Sequence, residues 1–308
     1  MKRVVSISLG ASSRDRRIET DILGEDFIIE RIGTDGDLKE ALKLFKELDD
    51  QVDAFGLGGM DLYLFINNKK YIIRDAKKII DQVKRTPIVD GSGLKRTLES
   101  DAIKKIDQEL NLKDKKVLVV SALDRFGMAK ALTEVEAEII FGDLMFGLGL
   151  PIPIKSFDIL NLIAKFTMPL ISRLPFKLFY PTGKEQEQVT SNKKYENYYQ
   201  WADLIAGDFH YIKYYLPQQL KGKIILTNTI TVQDLNLLRK RGVSKLITTT
   251  PEFKGRSFGT NLMEAVLVAL LDKEVSEIKI SDYLNLLQEI DFKPRVIDFN
   301  QTEELINS

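Results

Sequence analysis

The sequence predicts an α/β protein with two open, mostly parallel sheets, the second of them Rossmann-like. Short apolar runs alternate with segments of helical periodicity along the 308 residues, a pattern typical of parallel strands connected by helices. The length is sufficient for two domains that each bury a core. The turn Asp90-Gly91-Ser92-Gly93 separates two successive series of such units. We therefore expect two α/β domains joined near residue 92.

The first domain is predicted over residues 1–92, as a substrate domain. Its apolar runs predict strands, and its amphipathic stretches predict helices, the first of them capped by Thr34 or Asp35. The predicted elements are strands 4–9, 27–32, 52–56, 71–73 and 87–89, a helix that includes Leu38 and Leu48, and a helix over 76–83.

The second domain is predicted over residues 93–272, as a nucleotide-binding domain with an apolar insertion at 144–200. Residues 273–308 are predicted to form a helical closing segment. The predicted strands are 117–120, 138–141, 202–206, 223–226 and 246–250, and the predicted helices are 94–112, 127–134, 232–241, 259–271 and 281–290.

The apolar segment 144–181 within that insertion has no single interpretation. Four prolines and several charged residues interrupt it, so no charge-free run approaches the roughly 20 residues that a membrane span needs. A buried helix, a homodimer face, a lid over an apolar ligand and an interfacial membrane helix are the alternatives. Packing in the core or in a dimer is the favoured one.

Composition excludes several classes of function. Lys plus Arg and Asp plus Glu both total 45, and this balance gives no support for a nucleic-acid partner. The absence of cysteine excludes disulfides and thiolate chemistry, and His210 is the only histidine, so no multi-histidine metal site can form. The N-terminus runs directly into a strand-like segment without a leader pattern. We expect a cytoplasmic protein without a metal site, and a carboxylate-only Mg²⁺ or Ca²⁺ site is the alternative.

Two loops of the first domain are candidate substrate sites. Residues 10–17 combine small residues with cations, and Ser12 and Ser13 lie within this loop, which could present backbone N–H groups to an anion. A glycine-rich turn ending in Asp61 follows the strand at 52–56. Solvated surface loops and tight turns are the alternative interpretations of both stretches.

The second domain carries the candidate cofactor residues. Ser121 opens the loop after the strand at 117–120, Gly127 begins the next helix, and Asp143 follows Ser121 at the spacing at which dinucleotide folds place the acidic residue that binds a ribose hydroxyl. Asp208 repeats the Gly-Asp ending of Asp143, and Thr227 ends the next strand. All of these strands deliver polar residues to their carboxyl ends, where open α/β sheets bind ligands.

The junction and the later strands resemble those of the shikimate/quinate dehydrogenases. The matching residues are Asp90-Gly91, Gly93, the segments 112–119, 202–205 and 222–226, and the helix at 259–263. Over nearly its whole length the chain also resembles uncharacterised bacterial proteins labelled quinate 5-dehydrogenase. This chain has Ser121-Ala122-Leu123-Asp124 where the shikimate/quinate family has its Gly-Ala-Gly-Gly phosphate loop.

The resemblance implies an NAD-dependent oxidoreductase of a small hydroxy acid. A Lys–Asp pair would handle the proton of the substrate hydroxyl, with Asp90 and Lys95 in these roles and His210 as an alternative acid/base. Asp143 would favour NAD over NADP. The alternatives are a non-redox two-domain protein that binds an anionic or apolar small molecule, and a membrane-interfacial protein that uses segment 144–181.

Overall fold

A computed structural model describes residues 1–66, 69–173, 193–228, 230–250, 252–253, 256–257, 259–290 and 294–300. The chain folds into two compact units, and each unit is assembled from separate stretches of sequence. The first unit comprises residues 1–97, 165–186 and 259–292, and the second comprises residues 98–164, 187–258 and 293–308. The α/β class with two mostly parallel sheets is confirmed.

The helices are distributed along the whole chain, and α3 and α5 each contribute residues to both units. They are α1 (Leu38–Leu48), α2 (Arg74–Ile80), α3 (Ser92–Leu110), α4 (Phe126–Glu134), α5 (Phe157–Ile171), α6 (Glu196–Trp201), α7 (Phe209–Tyr214), α8 (Val232–Lys240), α9 (Thr260–Leu271) and α10 (Ile280–Glu289).

The first unit contains a five-stranded sheet in the order β2-β3-β1-β4-β7 and a separate hairpin of β5 and β6. All strands of the large sheet are parallel except β2, which pairs antiparallel with β3. The strands are β1 (Lys2–Ser8), β2 (Arg16–Ile22), β3 (Glu25–Gly33), β4 (Ala54–Gly58), β5 (Tyr63–Ile66), β6 (Lys69–Ile72) and β7 (Ile88–Val89).

The core of this unit lies where α1 packs on the sheet. Phe45 of α1 meets Phe55 of β4 edge to face, with 5.1 Å between ring centroids, and both rings are fully buried. Asp37 caps α1 by accepting the N–H groups of Lys39 and Glu40. The predicted caps Thr34 and Asp35 were therefore wrong, because the helix begins later than its first polar residue.

Helix α9 belongs to the first unit, although the prediction placed its residues in the second domain. It packs against β1 and β4, and nine of its twelve residues are buried. Asn261 Nδ2 donates to Ser6 Oγ at 2.6 Å. A helix that is apolar on all sides must be buried, but its sequence does not indicate which sheet covers it.

Gly91 lets α9 approach the end of β7, and its replacement is expected to destabilise the fold. Its φ is +91°, and a Cβ there would lie 2.7 Å from the backbone nitrogen of Asn261. Gly91→Ala should lower the free energy of unfolding by about 2–4 kcal/mol, because backbone strain and steric overlap add. Urea denaturation followed by circular dichroism measures this change.

Gly24→Ala is the matched control for that substitution. Gly24 lies in the same unit at φ +82°, and nothing within 4 Å would meet its Cβ. It should therefore lose only about 1 kcal/mol, from backbone strain alone. Equal losses for the two variants would contradict the steric role of Gly91.

The second unit contains a six-stranded sheet in the order β15-β12-β11-β10-β8-β9. Its strands are parallel except β15, which pairs antiparallel with β12, and β13 and β14 form a separate hairpin. The strands are β8 (Lys116–Val119), β9 (Glu138–Phe141), β10 (Leu204–Ala206), β11 (Ile224–Thr227), β12 (Lys245–Thr248), β13 (Glu252–Phe253), β14 (Arg256–Ser257) and β15 (Arg295–Asp298).

Both faces of this sheet are buried. Val117 and Val119 of β8 enter one core with α3 and α4, whereas Leu118 and Val120 enter a second core with α6 and α7. A strand covered on both faces reads as a continuous apolar run, and this explains why the predicted strands at 117–120 and 138–141 are confirmed. The closing segment 273–308 contains the predicted helix, as α10, but also β15, which was not predicted.

Segment 144–181 is described only as far as residue 173, and residues 174–181 lie outside the described part. Its backbone pairs with β9 at Ile154, and α5 buries Leu160, Ala164 and Met168. Part of the segment is therefore core. Within the described residues, none of the helices has both the length and the apolar character that crossing a membrane requires.

Candidate functional site

The second unit has a topological switch point in its sheet. Strand β8 lies between β9 and β10. The chain leaves β8 toward β9 on one side and later adds β10 on the other side, so the loops after β8 and β10 diverge at the carboxyl edge. In open α/β sheets ligands bind in the crevice at this position.

The loop after β8 brings Arg125 to this edge. The side chain of Arg125 is only 3% exposed. Its Nη1 donates to Glu99 Oε1 at 2.7 Å, its Nη2 donates to Asp208 Oδ2 at 2.9 Å, and its Nε lies 3.2 Å from Asp124 Oδ2. One buried guanidinium is thus in contact with three carboxylates.

The loop after β10 supplies Asp208, the N-cap of α7. Its Oδ1 accepts the backbone N–H of His210 at 2.9 Å, and its Oδ2 accepts from Asn228 Nδ2 at 3.1 Å as well as from Arg125. Burial alone would raise the pKa of Asp208. The charges of His210 and Arg125, together with these hydrogen bonds, hold that pKa well below its usual range. Asp208 is therefore a buried carboxylate in its ionised form.

We refer to Glu99, Asp124, Arg125, Asp208 and Asn228 as the Arg125 cluster. Burial would lower the pKa of Arg125, but the charges of Glu99, Asp124 and Asp208 raise that pKa well above its ordinary value. The guanidinium is therefore always charged. With three carboxylates around one guanidinium, the cluster carries a formal excess of negative charge and repels anions.

Asp143, which was predicted to bind a ribose hydroxyl, is hydrogen-bonded to the loop after β8. Its Oδ1 accepts the backbone N–H of Leu123 at 2.8 Å, and its Oδ2 is buried with no hydrogen-bond partner among the described residues. Burial raises the pKa of Asp143 to about 6. A dinucleotide fold directs the N–H groups of this loop toward a pyrophosphate, whereas here the protein's own carboxylate accepts one of them.

The other predicted residues of the second unit lie close to the cluster, where two of their hydroxyl groups form hydrogen bonds with backbone groups. Ser121 Oγ accepts the N–H of Asp208 at 3.4 Å, and Thr227 Oγ1 donates to the carbonyl of Gly207 at 2.8 Å. Gly127 and His210 lie in the first turns of α4 and α7, both half-buried. The structure therefore brings together Ser121, Asp208, Thr227 and His210.

Four members of the cluster were not predicted as site residues, namely Glu99, Asp124, Arg125 and Asn228. The sequence does contain a signal for Glu99, because it lies beside Leu98 and three residues before Ala102, on the apolar stripe of α3. A charged residue on a buried stripe requires a buried partner. No comparable signal marks Asn228, whose partner Asp208 is 20 residues away.

In the first unit the predicted residues pair differently from the prediction. Asp90 Oδ2 accepts the N–H groups of Leu62 and Tyr63 at 2.6 and 3.1 Å, and its Oδ1 accepts the N–H of Ser92 at 2.9 Å. Asp90 is therefore a buried residue that holds two loops together. Lys95 pairs with Asp61 at 2.6 Å instead of with Asp90. Catalytic roles for Asp90, Lys95 and His210 stay untested predictions.

The switch point of the first unit lies between β1 and β4 and is closed by backbone contact. A Cβ at Gly59 would lie 2.9 Å from the backbone nitrogen of Gly10. Nearby, Ser12 is exposed, and its N–H and Oγ both donate to the carboxylate of Asp35. Ser13 is also exposed in the same turn. The substrate roles of Ser12, Ser13 and Asp61 stay predictions, and the second unit presents the stronger candidate site.

Metal chemistry has no candidate centre in the described part of the chain. No group of three or more His, Cys, Asp or Glu side chains there is arranged so that it could hold a metal ion. The Arg125 cluster does not form such a group because its carboxylates surround a guanidinium.

Two family models match the sequence, and both are described as a Domain of unknown function. One (DUF8753) matches residues 3–90 and the other (DUF8754) matches residues 93–299. No curated protein matches the chain.

Solved structures similar to this chain include several sugar-binding proteins. An arabinose-binding protein from Geobacillus stearothermophilus has 9% identity and a TM-score of 0.44, with 98% of each chain covered. A periplasmic ribose ABC transporter protein from Conexibacter woesei has 9% identity and a TM-score of 0.42, with 100% of this chain and 95% of that chain covered. A galactofuranose-binding protein has 12% identity and a TM-score of 0.37, with 99% and 97% covered.

The predicted membership of the quinate/shikimate dehydrogenases is wrong, and so is the predicted NAD-dependent oxidoreductase function. Both family models that match the chain are described as domains of unknown function, and neither is a dehydrogenase family. At the site itself, Asp143 accepts one N–H group of the loop in which a dinucleotide fold binds its pyrophosphate, and Asp124 places a carboxylate in that loop.

Proposed function

We propose that this chain, which belongs to the family described as Domain of unknown function (DUF8754), is a non-redox binding protein for a polar small molecule. The ligand would carry hydroxyl or amino groups and would bind at the switch point of the second unit. The observation that supports this proposal is Arg125, buried among the carboxylates of Glu99, Asp124 and Asp208 at the position where parallel sheets bind ligands.

The charges of the cluster favour a ligand that donates hydrogen bonds. Ionised carboxylates only accept, whereas a guanidinium only donates. Asp124 and Asn228 are partly exposed, so these two members of the cluster can be reached from solvent. A neutral polyol or an amine provides donors to carboxylates without bringing negative charge to a cluster that already has an excess of it.

Tyr211 adds a neutral hydroxyl to the same region. Burial, together with the charges of Asp124, Asp208 and Asp143, raises the pKa of Tyr211 well above its ordinary value. Its phenol therefore remains protonated at every physiological pH. A half-buried tyrosine supplies both an apolar ring face and a polar tip for a small ligand.

Anionic ligands are disfavoured by this electrostatic arrangement. An anionic small molecule, which was one of the alternatives from the sequence, would place negative charge beside the carboxylates of Asp124 and Asp208. That the chain binds NAD stays an untested prediction, and the nucleotides belong in the experiment as competitors of the proposed ligand class.

Isothermal titration calorimetry tests the proposal, preceded by native mass spectrometry of the purified protein for a co-purifying metabolite. The panel consists of neutral pentoses and hexoses, linear polyamines, and the four nicotinamide dinucleotides. We expect binding of a hydroxyl- or amino-bearing compound. Asp124→Asn should weaken it roughly 10–100-fold, since a hydrogen bond to a charged group contributes about 1.5–3 kcal/mol, and Asn228→Ala should weaken it less because its amide is neutral.

Asp203→Asn is the matched control for Asp124→Asn. Asp203 precedes β10 at the amino edge of the same sheet, where its carboxylate accepts the N–H of Lys116 at 3.1 Å. Its replacement should leave the affinity unchanged. Binding of the dinucleotides alone would contradict the proposal, as would a loss of affinity in Asp203→Asn equal to that in Asp124→Asn, or no binding across the whole panel.

A further inference from the structure

Helix α5 has two apolar faces, and only one of them is covered. Leu160, Ala164 and Met168 are buried. The opposite face carries large apolar side chains at spacings of three and four residues, which form a single stripe along the helix. Its members and their exposed fractions are Ile159 (53%), Leu162 (55%), Phe166 (73%) and Leu170 (65%).

Exposed apolar residues are concentrated in this part of the chain. Of the 13 large apolar residues that are exposed in the described part, seven lie between residues 148 and 170. Single exposed apolar side chains are ordinary on protein surfaces, but a contiguous stripe indicates an interaction site. We refer to Ile159, Leu162, Phe166 and Leu170 as the α5 stripe.

Basic residues bracket the α5 stripe. Lys155 lies two residues before the helix and Arg173 two residues after it, and both are exposed. Within the helix the charged residues are Lys165 and Asp158. The stretch 155–173 therefore has three positive charges and one negative charge, for a net charge of +2.

We infer that the α5 stripe binds the surface of an anionic lipid membrane. A helix of 15 residues is about 22 Å long, too short to span a bilayer but suitable for lying in its interface. In that orientation Leu162 and Phe166 enter the acyl boundary. The basic residues at both ends contact anionic headgroups, each contributing about 1 kcal/mol near such a surface.

A second copy of the chain suits this surface less well, because of the same charges. A two-fold dimer with antiparallel stripes places Lys155 of one copy opposite Arg173 of the other. A two-fold dimer with parallel stripes places each of these residues opposite its own counterpart. Both arrangements oppose like charges at the ends of the stripe, whereas an anionic lipid surface attracts all of them.

Cosedimentation of the full chain with lipid vesicles tests this inference. The vesicles are phosphatidylcholine alone and an equal mixture of phosphatidylcholine with phosphatidylserine. The wild-type chain should sediment with the mixed vesicles and less with phosphatidylcholine alone, and added salt should weaken the binding. Leu162→Glu/Phe166→Glu should weaken partitioning more than tenfold, since two apolar side chains no longer enter the lipid.

Two further variants test the role of the basic residues and the effect of a glutamate placed outside the α5 stripe. Lys165→Glu/Arg173→Glu should lose the preference for anionic vesicles. Val232→Glu introduces one glutamate at an exposed apolar residue outside the α5 stripe, 62% exposed on α8, and should bind as the wild type does. Because all these side chains are exposed, circular dichroism spectra of the variants should match that of the wild type.

Three results would overturn the inference. The wild-type chain stays in the supernatant with the mixed vesicles, or it sediments and the Leu162→Glu/Phe166→Glu variant sediments equally. Alternatively, light scattering after size exclusion shows a dimer that this double variant converts to a monomer, in which case a second copy covers the stripe.

Discussion

Replacing Arg125 with methionine is expected to lower the free energy of unfolding of the second unit by about 3–5 kcal/mol, because it leaves buried carboxylates without their counter-charge. The side chains of Glu99 and Asp208 are 1% and 5% exposed, so water cannot replace the guanidinium. Methionine fills most of the arginine volume, and the loss therefore reports charge and hydrogen bonding more than packing.

The fluorescence of Trp201 measures this change. Trp201 is the only tryptophan of the chain and lies in α6, packed against the core of the second unit. Its emission during urea denaturation therefore follows the unfolding of this unit. Introducing Glu99→Gln into the Arg125→Met variant should recover part of the loss, because one of the uncompensated charges is then removed.

Lys130→Met is the matched control within the helix that Arg125 precedes. Lys130 pairs with Glu134 one helical turn away, and the two side chains are 63% and 51% exposed. Solvent screens such a pair, so its removal should change the free energy of unfolding by only about 0.3–0.5 kcal/mol. Similar losses for the two variants would show that the Arg125 cluster does not behave as a desolvated charge network.

Much of the fold could be predicted because the central strands are buried on both faces. β8, β10 and β11 lie in the interior of the sheet and are mostly apolar, and such runs are read directly from a sequence. β2 and β15 were missed because each lies at an edge of its sheet and contains only two apolar residues. A strand with so little apolar surface forms only where a neighbouring strand pairs with it, and its own sequence does not identify that neighbour.

The candidate site could be predicted only in part, for a related reason. Asp208 was identified because it ends a buried strand, but its partner Arg125 lies 83 residues away, and Glu99 lies 26 residues from Arg125. Such pairings follow from how the strands are ordered in the sheet. Local sequence does not contain that information.

The two Gly-Asp endings illustrate this limit of local sequence. Asp143 and Asp208 both follow a glycine at the end of a parallel strand. Burial raises the pKa of Asp143 to about 6, whereas the charges of His210 and Arg125 lower the pKa of Asp208 against the effect of its burial. The same motif therefore produces opposite electrostatics, since His210 and, from a distant part of the chain, Arg125 act on Asp208.

Glu264→Gln is expected to remove a pH dependence of stability from the first unit. Glu264 is 4% exposed, and its Oε1 accepts from the hydroxyl of Tyr283 at 2.9 Å. Burial and then the nearby charge of Asp90 raise the pKa of Glu264 from 4.5 to about 8. Its Oε2 has no hydrogen-bond partner among the described residues, as suits a neutral carboxylic acid.

The sign of the effect follows from the two protonation states. The folded state binds the proton of Glu264 more tightly than the unfolded state does, so the resulting stability is complete below pH 4.5 and is lost as the pH rises toward 8. Between about pH 6 and pH 9 the wild-type chain should lose about 3 kcal/mol from this group. Glutamine keeps the neutral form at every pH and should not show this loss.

Urea denaturation at a series of pH values, followed by circular dichroism, measures the difference between the two proteins. Taking the difference cancels the contribution of Asp143, whose pKa of about 6 gives a loss in the same direction but at lower pH. Glu289→Gln, at an exposed residue of α10, is the control and should follow the wild-type curve. Parallel curves for Glu264→Gln and the wild type would mean that Glu264 titrates as in the unfolded chain, and its carboxyl group would then have to be hydrated despite its burial.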